Sequence, residues 1–147
     1  MIRPIVRDTQ FLKKKSVAAG KADLPIGQDL KDTLKAHNRE CVGMAANMIG
    51  VNKRIIVVHM AFADIVMYNP TIIQKDGRYE TEEGCLSLPG VRPCIRYQSV
   101  TVRYQDETFQ WHTNTFTGWT AQIIQHECDH LEGILYTSKA DNLSRLG

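Results

Sequence analysis

The segment His126-Glu127-Cys128-Asp129-His130 sets two imidazoles four residues apart, with a glutamate directly after the first. On a helix, residues at this spacing share a face with Cβ atoms about 5 to 6 Å apart, so both rings can reach one ion. Glu127 then stands on the adjoining face, placed to take a proton from an activated water rather than to ligate the metal. The chemistry this implies is metal-dependent hydrolysis.

A catalytic site of this kind needs a third ligand and one open position. Metzincins supply a third histidine ten residues after the first, but Tyr136 occupies that place, although Gly133 matches their glycine. Zincins with a downstream glutamate are also unmatched, because after Glu132 the only acid is Asp141, near the C-terminus and beyond the helix. The ligand therefore lies upstream. Cys85, in the run Glu-Glu-Gly-Cys-Leu-Ser, follows Gly84, which permits close backbone approach, and its thiolate would complete a His2Cys set. Cys41 and Cys94 are the alternatives.

Around these residues the sequence implies a small set of elements. From Gly118 onward, Trp119, Ile123, Ile124, His126, Glu127, His130 and Ile134 follow helical spacing, which predicts a long C-terminal helix carrying the motif. Residues 27–38 place Leu30, Leu34 and His37 on one helical stripe, with Asp29 near the start as a capping residue. The β-branched run at 54–60 predicts a buried strand, and 66–73 a second strand interrupted at Pro70. Asp76-Gly77 is a turn dipeptide and predicts an antiparallel hairpin there. Val100, Val102 and Tyr104 alternate on one face of a strand that should pair with residues 108–113 across a polar turn at Asp106 and Glu107. Helix, several strands, then helix, without repeats, predicts an α+β fold: a mostly antiparallel sheet packed on the C-terminal helix.

At 147 residues the chain suits one domain, 1–147, with one active site. With 43% hydrophobic and 23% charged residues it falls in the ordinary globular class, and neither a signal-peptide pattern nor a membrane-length apolar run occurs. A cytoplasmic location without membrane attachment is expected. The net charge of +2 is too small to imply nucleic-acid binding, and Lys13-Lys14-Lys15 reads as a solvated face. Four cysteines without a CxxC pair exclude a four-cysteine zinc knuckle, and a reducing compartment is expected.

Three segments taken together, CVGMAANM at 41–48, EEGCLS at 82–87 and QHECDHLEG at 125–133, resemble the three motifs of the peptide deformylase family, in the same order. The strand at 54–58, Asn69-Pro70 and Leu88-Pro89 fit the same pattern, so the resemblance covers nearly the whole chain. It implies removal of the formyl group from the N-terminal methionine of new polypeptides. Cys85, His126 and His130 would hold one divalent ion, Fe2+ natively, with Zn2+, Ni2+ or cobalt as substitutes. Glu127 would act as general base and then proton donor, and the Leu86 N–H would help hold the oxyanion. Val42, Gly43, Met44, Met48, Arg92 and Ile123 would line the substrate groove or methionine pocket, and Glu83, Asp129 and Arg96 would orient the ligands from behind. The implied partners are formylated N-termini of nascent polypeptides and, transiently, the ribosome. Only 17 residues follow His130, so that contact would not use the longer C-terminal extension of some relatives.

The first motif departs from the family pattern of glycine, apolar, glycine, apolar, Ala-Ala, any residue and glutamine. Cys41 replaces the first glycine and Met48 the glutamine. A thioether cannot donate the hydrogen bond that the glutamine side chain offers a developing oxyanion. Asn47, if extended, would point its side chain to the opposite face. Weakened deformylase activity is therefore expected; a related hydrolase of another small amide and a metal-binding paralogue without activity are the other readings.

Overall fold

A computed structural model describes residues 1–85 and 88–134 of the chain. Five strands run β1 (Gly43–Ala45), β2 (Ile55–Met60), β3 (Ala63–Cys85), β4 (Leu88–Gln105) and β5 (Trp111–Thr117), and three helices run α1 (Thr9–Leu12), α2 (Leu24–Ala36) and α3 (Gly118–Leu131). The strands form one sheet in the order β1-β2-β3-β4-β5, each antiparallel to its neighbours. Sequential strands are spatial neighbours throughout, and α3 packs back on this meander. The fold is the expected α+β arrangement.

β2 explains how the core is built. Successive side chains of a strand point to opposite faces, yet Ile55, Ile56, Val57 and Val58 are all fully buried. Both faces of β2 are therefore covered, and α2 and α3 both pack against it. From α2 come Leu30 and Leu34, from α3 Ala121, Ile124 and Leu131, and from β4 Val100 and Val102 on the expected inward face. Gln125 fixes the helix to the sheet: its Oε1 accepts the Tyr97 N–H at 2.8 Å and its Nε2 donates to the carbonyls of Tyr97 and Ala121.

Three expectations are corrected. No turn occurs at Asp76-Gly77: Asp76 pairs with Ser99 and Arg78 with Tyr97 in unbroken register, and the ladder runs on to Cys85 opposite Leu88. Gly77 passes through φ +76° without leaving the strand, which glycine alone does at no steric cost. The second correction concerns α2, which starts at Leu24, with Pro25 in its first turn where the missing N–H is harmless. Asp29 lies inside that helix and pairs with Arg3, whose Nε donates at 2.8 Å, so it caps nothing. Thirdly, residues 46–49 form a 3-10 turn rather than an extended segment. Pro70, as expected, sits at an irregularity, where the β3–β4 register shifts between Tyr68 and Thr71.

Candidate active site

Three separate parts of the fold converge on the HExxH face of α3. Cys85 arrives at the end of β3, residues 41–48 pass beside α3 through β1 and the 3-10 turn, and His126, Glu127 and His130 come from the helix itself. One donor atom each from Cys85, His126 and His130 lies within 4.8 Å of the others. Cys85 Sγ is 3.3 Å from His130 Nε2, and the two imidazole centroids are 5.0 Å apart. All four cysteines are free thiols, and Cys94 and Cys128 are buried and are not among the three clustered donors.

Hydrogen bonding fixes how the His126 ring is presented, while His130 Nδ1 is buried without a partner among the described residues. His126 donates Nδ1–H to Glu83 Oε1 at 2.7 Å, because a carboxylate can only accept, which leaves Nε2 as the nitrogen that could serve a metal. Glu83 in turn accepts from Arg96 Nε at 2.8 Å and Nη2 at 2.6 Å, while Arg96 Nη1 donates to Asp129 Oδ2 at 2.7 Å. The expected trio of Glu83, Arg96 and Asp129 is thus assembled as one network behind His126. Asn47 Nδ2 donates to the His130 carbonyl at 2.8 Å. Sequence reasoning gave Asn47 no such task, because it assumed extended backbone.

The electrostatics fit a cation among the three donors. Burial, reinforced by the neighbouring positive charges of His126 and Arg96, holds His130 down at about 3, so it is a neutral ligand at physiological pH. Burial would lower His126 too, but its hydrogen bonds to Cys85 and Glu83 outweigh that and hold it up at about 10. The site at His126 thus attracts positive charge. Thiolate and imidazole donors at this spacing suit a borderline-soft divalent metal.

Glu127 stands beside the cluster, fully enclosed, and burial pushes its carboxyl up to about 7 against the opposing influence of His126. Its Oε1 is buried without a hydrogen-bond partner among the described residues, which is costly for a purely structural carboxylate. Gly43 makes room for it: a Cβ there would lie 2.6 Å from Ile123 Cγ2 and 3.0 Å from Glu127 Oε2.

A cavity of about 470 Å³ opens over these groups, walled by Cys41, Val42, Gly43 and Met48 on one side and by Trp119, Gln122 and Ile123 of α3 on another. Trp119 is 62% exposed, so the cavity reaches the surface. Val42, Gly43, Met48 and Ile123 therefore line the cavity as expected. Met44 does not: it is fully buried in the core. Arg92 does not either, being exposed, absent from the lining and bonded to the Val91 carbonyl; it sits opposite Glu83 in the ladder. Leu86 lies outside the described residues. Cys41, an alternative ligand on sequence, is a wall residue outside the donor cluster. Sequence reasoning missed Gln122, although its place one turn before His126 on the same helical face was a usable signal.

Met48 is 2% exposed, and its sulfur is 3.5 Å from the Ala45 N–H. Met48 is part of the cavity wall, and its thioether has no proton to donate.

Known proteins match this chain along its whole length. The family model described as polypeptide deformylase matches residues 2–146. A peptide deformylase of Clostridium beijerinckii is 52% identical over 135 residues, 92% of this chain and 99% of that protein. One from Christiangramia forsetii is 36% identical, covering 99% of this chain and 85% of that protein. Among solved structures, the Met-Ala-Ser-bound peptide deformylase of Acinetobacter baumannii superposes with a TM-score of 0.86 at 28% identity, covering 95% of this chain and 98% of that one. The peptide deformylase of Thermotoga maritima does so with 0.85 at 26% identity, over 95% and 97% of the two chains. With its motif segments gathered around one cluster of donors that could hold a metal, the chain belongs to the polypeptide deformylase family and is a metal-dependent amide hydrolase of that type.

Proposed function

We propose that the chain, as one catalytic domain over residues 1–147, removes the formyl group from the N-terminal methionine of newly made polypeptides. Cys85, His126 and His130 hold one divalent ion, Fe2+ natively and Zn2+ or Ni2+ in substitution. The observation that carries this assignment is the buried Glu127 Oε1, without a partner among the described residues, beside three donor atoms that lie within 4.8 Å of one another.

When bound, the ion supplies Lewis acidity, lowering the pKa of water and polarising the formyl oxygen. Glu127 takes the proton from the attacking water and delivers it to the amine nitrogen as the formyl C–N bond breaks, so formate and a free amino terminus leave together. A carboxyl near 7 suits both halves of this transfer, since it is neither too weak a base nor too weak an acid at neutral pH. Val42 and Gly43 line the approach to Glu127, and Ile123 forms the wall of the side-chain pocket next to Gly43. The N–H of Leu86 is the remaining oxyanion donor, with Met48 contributing none.

The enzyme works in the cytoplasm, touching the ribosome transiently where nascent chains emerge. No helix among the described residues is long and apolar enough to cross a membrane.

The decisive measurement is turnover of formyl-Met-Ala-Ser by anaerobically prepared, iron-loaded protein beside Glu127→Ala. Turnover in the parent and its loss in a variant that still binds iron is the expected result. Protein that holds iron but leaves every formyl peptide intact would overturn the proposal.

A further inference from the structure

Two glutamines of α3 are buried, and they are used differently. Gln125 spends both ends of its amide on backbone groups of β4 and α3. Gln122, 9% exposed, accepts one hydrogen bond at Oε1 from the Tyr79 hydroxyl, at 3.1 Å, and its amide nitrogen has no partner among the described residues. It also lines the catalytic cavity. That nitrogen is not sealed off from solvent, so an acceptor atom of a ligand in the cavity can meet it.

Its height in the cavity suggests what that ligand is. Gln122 lies four residues before His126, about 6 Å along the helix axis from the reacting centre. Ile123, its neighbour, touches the Gly43 side of the cavity beside Glu127, and Trp119 stands a further turn out at the mouth. A peptide whose formyl carbon sits beside Glu127 brings the far end of its first side chain to this level. There, beside the apolar Ile123, the wall presents an N–H donor held by Tyr79.

We infer that Gln122 determines specificity, donating a hydrogen bond to an acceptor atom near the end of the substrate's first side chain, so that thioether, sulfoxide or amide side chains are taken in preference to a hydrocarbon of equal length. The inference rests on the deformylase reading. A thioether is a weak acceptor, and a sulfoxide or amide oxygen a strong one. N-formyl peptides beginning with oxidised methionine or glutamine therefore belong to the substrate class, alongside formyl-methionine.

The test compares kcat/KM for four peptides, formyl-Met-Ala-Ser and its methionine sulfoxide, glutamine and norleucine counterparts, in the iron-loaded parent, Gln122→Met and Tyr79→Phe. The sulfoxide-to-norleucine and glutamine-to-norleucine ratios should fall about 10- to 100-fold in Gln122→Met, the range for loss of one buried hydrogen bond to substrate. In Tyr79→Phe, which only unseats the amide, they should fall part of the way. A purely structural tether between Gln122 and Tyr79 would change all four peptides alike, so unchanged ratios in both variants overturn the inference. If the parent cleaves none of the four, the deformylase reading falls and takes this inference with it.

Discussion

Arg96 closes on both carboxylate oxygens of Glu83, at 2.8 and 2.6 Å, inside the protein, and turns its remaining nitrogen to Asp129 of α3. The end of β3 and the metal-site helix are thereby joined through one guanidinium, whose planar fork a lysine could not reproduce. Arg96→Met strands a buried carboxylate, a loss of about 3–5 kcal/mol in comparable settings. It also frees the His126 ring, and loss of such supporting contacts lowers metal affinity about 10- to 100-fold. Thermal melts and metal content after dialysis should both show the defect. A variant that melts with the parent and keeps its iron would mean the network is incidental.

Acid should dissolve the same network. Burial alone would raise the Glu83 carboxyl, but hydrogen bonds from His126 and Arg96 outweigh it and bring it from 4.5 down to about 2. The folded value lies below the unfolded one, so the stabilisation is complete above about pH 4.5 and is lost as pH falls toward 2. Such a displacement is worth about 3 kcal/mol at neutral pH. Urea titrations at several acid pH values should show Glu83→Gln with a flatter acid limb than the parent. Parallel limbs would exclude Glu83 as the titrating group.

Gly43→Ala probes the crowding around the base. The added methyl would meet Ile123 Cγ2 at 2.6 Å and Glu127 Oε2 at 3.0 Å, so the carboxylate must move. Displacing a catalytic group by about 1 Å can cost on the order of 10²-fold in rate. The expected signature is a fall in kcat with metal content unchanged, partly relieved by adding Ile123→Ala. A wild-type kcat would show that the wall yields without disturbing Glu127.

Met48→Gln restores a donor to the cavity wall. If the thioether leaves the developing oxyanion one hydrogen bond short, the variant should gain turnover toward the 10²- to 10³-fold range that one such donor is worth. Steady-state kinetics on formyl-Met-Ala-Ser decide this, with the gain expected in kcat. Lower kcat in a properly folded Met48→Gln protein would mean that this chain holds its oxyanion by other means.

Removing the ion should lower thermal stability reversibly. Ligands binding only the folded state stabilise it by about 2.7 kcal/mol at a hundredfold excess over Kd, several degrees of Tm for a chain of this size. Chelation followed by calorimetry tests this, and His130→Ala protein should no longer respond.

The α3 motif was legible because its message is local: helical spacing alone brings His126 and His130 to one face. The strands around Ile55 and Val100 were legible for the same reason, the first through an unbroken β-branched run and the second through alternation. What escaped depended on distant partners. Asp76-Gly77 has turn chemistry, but the continuing ladder from Arg78 to Cys85 pairs so fully with β4 that the chain stays extended. Asp29 looked like a cap until Arg3, 26 positions away, claimed its carboxylate. Met44 has the same apolar character as Val42, and only the fold separates core from cavity. Arg92 shares its residue type with Arg96, four positions on; the structure buries one in an ion network and leaves the other exposed.

Glu83 orients His126, Asn47 secures the backbone at His130, and Arg96 joins strand to helix, all through contacts that need no ion. The same contacts would hold the three donors whichever ion they took, and thiolate with imidazole admits several divalent metals of similar size. Occupancy then follows cellular supply and each ion's survival in air. A single gene grown in iron-rich, nickel-rich or zinc-rich medium would yield protein preparations of identical shape and unequal speed.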